Sequence, residues 1–436
     1  MSERYPHLKQ NDPEIYALIQ KQTAYESSTL KMIASENFAS FSVIEATGST
    51  LTNKYAEGYP AARYYEGNAV IDEIETLAIN RLKTLFGAEH ANVQPLSGSP
   101  ANSAVYRAVM AGAQKVMGIP VSDGGHLTHG WKVNFSGMDF TQVPFGPSPE
   151  TGLLDYDRIR EIALAERPRL IWCGTTAYPR RIDYAAFAEI AQEVNAYLVA
   201  DIAHISGLIA GGALPSPVPY CDIVTSTTHK MMRGPRSGFI LSREADRYQD
   251  LYYATSKHNL AKRIDRAVFP GLQGGPHENV IAAMAVAFGE ALKPEFKDYA
   301  QQVVKNARYL GACLNEAGVK LASGGTDTHM LLLDFRGEEF TGKDAAEALA
   351  SAGIIANFNM VPGDTRKPTV TSGVRMGTGA LTTMGMKEKD MEQVAKWIVR
   401  TVRALPNAAD ECAKVRAEVA EYCKQFVIPG ISESAL

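Results

Sequence analysis

The chain has little of what would send a protein outside the cell or into a membrane. Its 436 residues include only five cysteines, and Cys173, Cys221, Cys313, Cys412 and Cys423 lie scattered without metal-ligand spacing. An odd, dispersed set argues against a disulfide framework and for the reduced thiols of a cytoplasmic protein. No apolar run approaches the length that spans a bilayer. The N-terminal MSERYPHLKQNDPE lacks the apolar core of a signal peptide. Charge of one sign is missing too: 44 basic against 48 acidic side chains leave a formal charge of −4. That balance offers no basic field to nucleic acid or to an anionic membrane surface. Internal repeats and low-complexity tracts are absent. What remains is ordinary globular composition, 45% apolar and 21% charged, in a chain long enough for two domains.

The most informative stretch runs from Tyr197 to Arg236. Two short apolar runs, Tyr197–Ala200 and Ile223–Val224, read as strands. Each delivers polar residues at its C-terminal end: Asp201 and His204 from the first, Thr227, His229 and Lys230 from the second. In open α/β sheets ligands bind at that end. A lysine and an acid placed there suit pyridoxal phosphate, the lysine forming the Schiff base and the carboxylate pairing with the protonated pyridine nitrogen. Upstream, Ser97-Gly98-Ser99 precedes an expected helix from Ala101 to Met110, and a small-residue turn entering a helix offers free amides to a phosphate. SDGGHLTHG brings two histidines three apart but no further ligands at set spacing, so His126 is read as a ring that stacks on a cofactor and not as a metal ligand.

Along the chain, Asp12-Pro13 has the form of an N-cap and first helical residue, with Ile15, Leu18 and Ile19 on one face. TNKYAEGYPAARYYEGN has neither helical nor strand period and reads as a loop, chemically overequipped with Tyr55, Glu57, Tyr64 and Tyr65. A helical period returns over Ile71–Phe86. RLIWCGT, a helix burying Phe187, Ile190, Ala191 and Val194, and the strand at Tyr197 form βαβ units of a mostly parallel sheet. SGFILS reads as a further strand. Residues 243–265 read as a polar surface excursion, followed by a second glycine turn at Gly274-Gly275. Beyond Ala282 come helices to about Ala317, the strand HMLLLDF, the helix GKDAAEALASAG, an irregular NFNMVPGDTRKPTVTSG, the short strand GVRMG, and a closing helix with Met391, Val394, Ile398 and Val402 inward. The fold class expected is α/β, a mostly parallel sheet flanked by helices with a smaller C-terminal α+β domain. The spans are a helical arm over 1–50, a large cofactor-binding domain over 51–285 and a small domain over 286–436.

The motifs IASENF, LTNKYAEGYP, RYY, VQPLSGSPAN, DGGHLTHG, DIAHISGL, TTHK, RGPR, VFPGLQGGPH and SGGTDTH, in register from about residue 10 to about residue 404, resemble the serine hydroxymethyltransferase family. The resemblance implies a fold-type I pyridoxal-phosphate enzyme that interconverts serine and glycine with tetrahydrofolate as carrier of the one-carbon unit. It also implies a homodimer or dimer of dimers whose active sites are shared between subunits. By the same resemblance, Lys230 holds the cofactor, Asp201 binds its pyridine nitrogen, His126 stacks on the ring, and Thr176 and His204 face its 3′-oxygen. Ser97, Gly98 and Ser99 take the phosphate, with Tyr55 and Gly274-Gly275 reaching in from the other subunit. Arg375 pairs with the substrate carboxylate, a bidentate task suited to arginine, with Ser35 and Tyr65 beside it. Glu57 is the acid/base at the substrate hydroxyl and the folate, and His229 and Thr227 flank the lysine. Gly124, Gly125, Leu127 and Asn359 are expected at the folate.

The chain departs from the family pattern at several places. Phe358 and Met360 stand where a lysine and a small hydroxyl residue are usual, and Lys367-Pro368-Thr369 where Ser-Pro-Phe is common. Val121 replaces a leucine, Gly379 a proline, Met384 an arginine, Glu66 a glycine and Met231 a threonine. The amino-acid half of the site thus matches and the pterin half is partly altered. The alternative activity on the same scaffold is a folate-independent threonine-type aldolase or transaldolase.

Overall fold

The computed structural model describes residues 5–110 and 114–432, so the outermost four residues of both terminal spans lie outside the described residues. Seven strands build the central sheet: β1 (His90–Asn92), β2 (Lys115–Gly118), β3 (Thr141–Pro144), β4 (Leu170–Trp172), β5 (Tyr197–Asp201), β6 (Ile223–Thr227) and β7 (Gly238–Ser242). Their order is β1-β7-β6-β5-β4-β2-β3. Strands β2 to β6 run parallel, while β7 is antiparallel to both its neighbours.

The apolar runs of the inner strands are continuous because helices cover both faces. Along β5, Leu198 and Ala200 join a core with Leu82, Phe187, Ile190 and Phe288, whereas Tyr197 and Val199 join the opposite one with Val105, Ile264 and Trp172. The period of two in a strand makes that division. Burying one such large apolar side chain stabilises the fold by about 1.5–3 kcal/mol.

The C-terminal region has its own antiparallel sheet of β8 (Met330–Asp334), β9 (Asn357–Asn359) and β10 (Gly373–Gly377), ordered β8-β10-β9. Leu331, Leu333, Val374, Met376, Trp397 and Ile398 pack in its core. The helix Pro294–Glu316 serves both cores, with Phe296, Ala300 and Val303 in the first and Ala307, Leu310 and Leu314 in the second. The early segment Leu30–Lys31 pairs in parallel with Ile354–Ile355, and the Arg416 guanidinium donates to Ser28.

Several expectations need correction. The excursion over 243–265 leads into a helix, Leu260–Val268, that buries Leu260, Ala261, Ile264, Ala267 and Val268. Those residues share one helical stripe, masked in the sequence by Lys262, Arg263, Asp265 and Arg266. The segment expected to be irregular carries β9, and a further helix, Ala409–Cys423, packs Val415 and Val419 into the second core. The tyrosine-rich loop contains a minimal hairpin, Gly58–Tyr59 against Ala62–Arg63. The helix Pro13–Ser27 is capped as read, Asp12 Oδ1 accepting from Ile15 N at 3.0 Å, yet it buries none of its residues. All five cysteines are free. Among the described residues no helix is long and apolar enough to cross a membrane.

Candidate active site

The C-terminal ends of the parallel strands open on one cleft of about 500 Å³. β2 leads into the loop holding Gly125, His126 and Leu127, β4 leads to Thr176, β5 to Asp201 and His204, and β6 to Thr227, His229 and Lys230. Ser35, Ser97, Gly98, Ser99, Gly125, His126, Leu127, Thr176, His204, Thr227, His229, Lys230 and Arg375 all line it. The helix beginning at Gly98 presents its first turn there, and its N-cap Ser97 makes no capping bond with its side chain. A Cβ at Gly98 would stand 2.8 Å from Thr227 Cγ2, and one at Gly125 only 1.7 Å from Ile119 O, so both glycines are there for close approach.

Asp201 is fixed by a network that the sequence reading missed. Its Oδ2 accepts from Asn102 Nδ2 at 2.9 Å and pairs with His129 Nε2 at 3.1 Å, and its Oδ1 accepts from Ala203 N at 3.1 Å. The His126 amide donates to His129 Nδ1, which assigns the imidazole hydrogen to Nε2, facing the carboxylate. His129 is buried and stacks on Trp172 with centroids 4.8 Å apart. Burial works against ionising Asp201, but the hydrogen bonds from His129 and Asn102 outweigh it and hold the carboxyl well below the usual range. The clues were present in SGSPAN and DGGHLTHG, since Asn102 lies one helical turn beyond Gly98.

Three cations face the same space. Burial lowers the Lys230 ammonium to about 8; Asp201 opposes the shift, while Arg375 and Arg236 reinforce it. Burial brings Arg375 down to about 10. The Arg375 guanidinium is aimed by two acceptors, Thr176 O at 2.7 Å and Asn357 Oδ1 at 3.0 Å. Arg236 and Glu36 also line the cleft and were assigned no role from sequence. The imidazoles are held neutral, His126 at about 4 and His229 at about 3, burial being the leading cause for each. His204 is also driven well down by burial and by Lys230. Thr227 Oγ1, His204 Nδ1 and His229 Nδ1 are buried with no hydrogen-bond partner among the described residues.

The remaining residues assemble elsewhere. Tyr55, Glu57, Tyr65, Gly274 and Gly275 do not line the cleft, but they do meet one another. The Tyr55 and Tyr65 rings pack edge to face at 5.2 Å, and Tyr55 Oη donates to Glu57 Oε1 at 3.4 Å. A Cβ at Gly274 would lie 3.2 Å from Glu57 Oε1, and one at Gly275 would lie 3.3 Å from the Tyr55 ring. Beneath this patch Arg63 spans Glu75 Oε2 at 2.6 Å, Asp72 Oδ1 at 2.9 Å and the carbonyls of Ala56 and Gly58. Glu278 is buried nearby with both oxygens unpartnered, and burial, then Glu75, push its carboxyl up to about 8. Asn359 also stays off the cleft, its amide donating to Met360 O at 2.7 Å, while Gly124 O accepts from Thr176 N at 2.7 Å.

Asp201 joins the two histidines of DGGHLTHG into a set whose ligand atoms lie within 4.8 Å, close enough to hold a metal ion. Those groups already bond to one another and to Thr128, whose Oγ1 lies 2.6 Å from His126 Nδ1.

A family model described as serine hydroxymethyltransferase matches residues 8–398. A curated protein of Mesorhizobium japonicum named serine hydroxymethyltransferase 2 is 61% identical over 426 residues, which cover 98% of this chain and 97% of that protein. Serine hydroxymethyltransferases of Sorangium cellulosum and Acidothermus cellulolyticus are 51% and 50% identical, each alignment covering 97% of both chains.

Proposed function

The chain belongs to the serine hydroxymethyltransferase family, and from that premise we propose how its residues carry the reaction that moves the hydroxymethyl carbon of serine to tetrahydrofolate, leaving glycine and 5,10-methylenetetrahydrofolate. Enzymes of this family are generally pyridoxal-phosphate dependent. The observation that carries the reading is one cleft shared by a half-buried lysine, a half-buried arginine and the open first turn of a helix.

The residues present fit that cofactor. The first turn Ser97-Gly98-Ser99 offers amides and uncommitted hydroxyls to a phosphate, at the positive end of the helix dipole. Asp201, kept anionic by His129 and Asn102, suits a protonated pyridine nitrogen, and the unpartnered Thr227, His204 and His229 atoms await polar contacts. When bound, pyridoxal phosphate supplies an electron sink for negative charge developing at the amino acid's α-carbon. Lys230 would hold it covalently; with its ammonium lowered to about 8, a useful fraction is free amine near neutral pH, able to bond carbon or carry a proton. Arg375, pre-aimed by Thr176 and Asn357, would take the substrate carboxylate beside Ser35.

Glu57, Tyr55, Tyr65 and the Gly274-Gly275 turn complete this reading only as the second subunit's contribution to its partner's cleft, in a cytoplasmic homodimer or dimer of dimers. Their clustering away from the chain's own lysine, and the exposed Ile15–Leu18 face of the first long helix, support it. On the folate side, Gly125 and Leu127 line the cleft, whereas Phe358 is 39% exposed on β9. Replacing one polar contact there costs about 1–3 kcal/mol, so folate binds about ten- to a hundredfold more weakly than in a typical relative and still accelerates serine cleavage. Serine-to-glycine turnover with and without tetrahydrofolate tests the reading. Brisk cleavage of threonine without any folate stimulation would instead assign the aldolase.

A further inference from the structure

Behind Lys230, four segments remote in sequence meet at Asn37. Its Nδ2 donates to Lys230 O at 3.1 Å and to Tyr299 Oη at 2.8 Å. Its Oδ1 accepts from Thr383 Oγ1 at 2.7 Å and from Phe38 N at 2.9 Å. Every hydrogen-bonding position of the amide is therefore used, and the Lys230 carbonyl, which can only accept, fixes which end is nitrogen. The Tyr299 hydroxyl points its own hydrogen at Met231 Sδ, 3.9 Å away, and the Arg233 guanidinium covers the Tyr299 ring at 4.2 Å. One short amide thus ties the lysine's backbone to the N-terminal segment, the helix Pro294–Glu316 and the helix Gly379–Thr383.

Two of the departures noted in the sequence fall at this junction. A Cβ at Gly379 would stand 2.4 Å from Met231 Cε and 2.6 Å from Met231 Sδ, and Met231 is fully buried. Gly379 has no left-handed backbone to demand a glycine, so the space taken by the methionine is the reason for it. The usual threonine at 231 and proline at 379 would fill the same volume from the other side.

We infer that Asn37 is a positioning residue for Lys230, and that Met231 and Gly379 are one compensated exchange which preserves the junction and has nothing to do with folate. The inference rests on reading Lys230 as the cofactor lysine. Borohydride reduction of the wild-type holoenzyme, followed by peptide mapping, checks that first: label on another lysine ends the reading itself. Given label on Lys230, Asn37→Leu keeps the volume, removes both donors and adds no charge. Whatever it costs in melting temperature, the variant should load pyridoxal phosphate about tenfold more slowly and shift the pH midpoint of the bound cofactor's visible absorbance. A purely structural asparagine would lower melting and leave the loading rate and that midpoint alone, which would overturn the assignment. For the exchange, Gly379→Pro alone should lose about tenfold or more in pyridoxal-phosphate affinity. Gly379→Pro combined with Met231→Thr should return to within about twofold of wild type. A double variant no better than Gly379→Pro alone, or a Gly379→Pro variant that binds normally, would refute the pairing.

Discussion

The cleft around Lys230 and the patch around Glu57 each bring together an acid, a glycine turn and an arginine, yet their surroundings differ. In the cleft, burial shifts Lys230, Arg375 and three imidazoles, and Asp201 is bonded on both oxygens. On the patch, Tyr55 is 58% and Tyr65 48% exposed. Low dielectric and fixed dipoles are what perturb a group enough for chemistry. The patch has the residues without the environment, which the second subunit of the proposed dimer would supply.

The sharpest way to break this contrast is subunit exchange. Lys230→Ala and Glu57→Ala proteins, each inactive alone, should recover about a quarter of wild-type activity when mixed equally and allowed to exchange, since half the dimers are mixed and carry one intact site. Exchange shown by mass labels with no recovered activity would put Glu57 and Lys230 in the same chain's site.

Next in size is Arg375→Ala. Removing one partner of a buried charge pair costs about 3 kcal/mol, so serine and glycine binding should weaken about a hundredfold while cofactor content and folding persist. Unchanged glycine affinity in a spectrophotometric titration would remove Arg375 from the carboxylate.

His129→Phe keeps a ring against Trp172 but deletes the donor to Asp201. The Asp201 carboxyl should then rise towards its ordinary range, and pyridoxal-phosphate affinity should fall about tenfold, the scale of one hydrogen bond to a charge, about 1.5 kcal/mol. Tyr65→Phe, on the patch, should leave cofactor affinity where it was; equal losses in both variants would erase the distinction between the two regions.

The last test concerns stability, through Glu278 beneath the patch. Its folded-state carboxyl stands near 8, raised from 4.5, so its contribution to stability is full below about pH 4.5 and is lost as pH rises through 8. Glu278→Gln mimics the protonated form, and its advantage over wild type should grow by about 1 kcal/mol per pH unit across that window and then level off. Thermal melts at pH 5, 6, 7 and 8 follow it, and a pH-independent difference would mean that Glu278 is already charged.

Much of the cleft was legible because strands announce themselves as apolar runs and deliver their polar residues at one end. Asp201, His204, Thr227 and Lys230 needed no more than that. The helix Leu260–Val268 was hidden because four charged residues interrupt its stripe. His129 and Asn102 act through Asp201, and a residue whose partner lies 72 or 99 positions away leaves no local pattern. The separation of Tyr55 and Glu57 from Lys230 depends on how the loop over 50–68 crosses Arg63 and Glu75, which side-chain geometry decides and residue spacing does not.

The pairing of Leu30–Lys31 with Ile354–Ile355 bears on the order in which this protein is made. On a ribosome all seven strands of the central sheet have been made once Ser242 is added, but the helices that pack Leu260, Ile264, Phe288 and Val303 against it are made later. Ser35 and Asn37 follow directly after Leu30–Lys31, so they must wait for a strand synthesised near the other end of the chain. The front edge of the cleft is therefore the part of the site that depends on both ends of the chain at once.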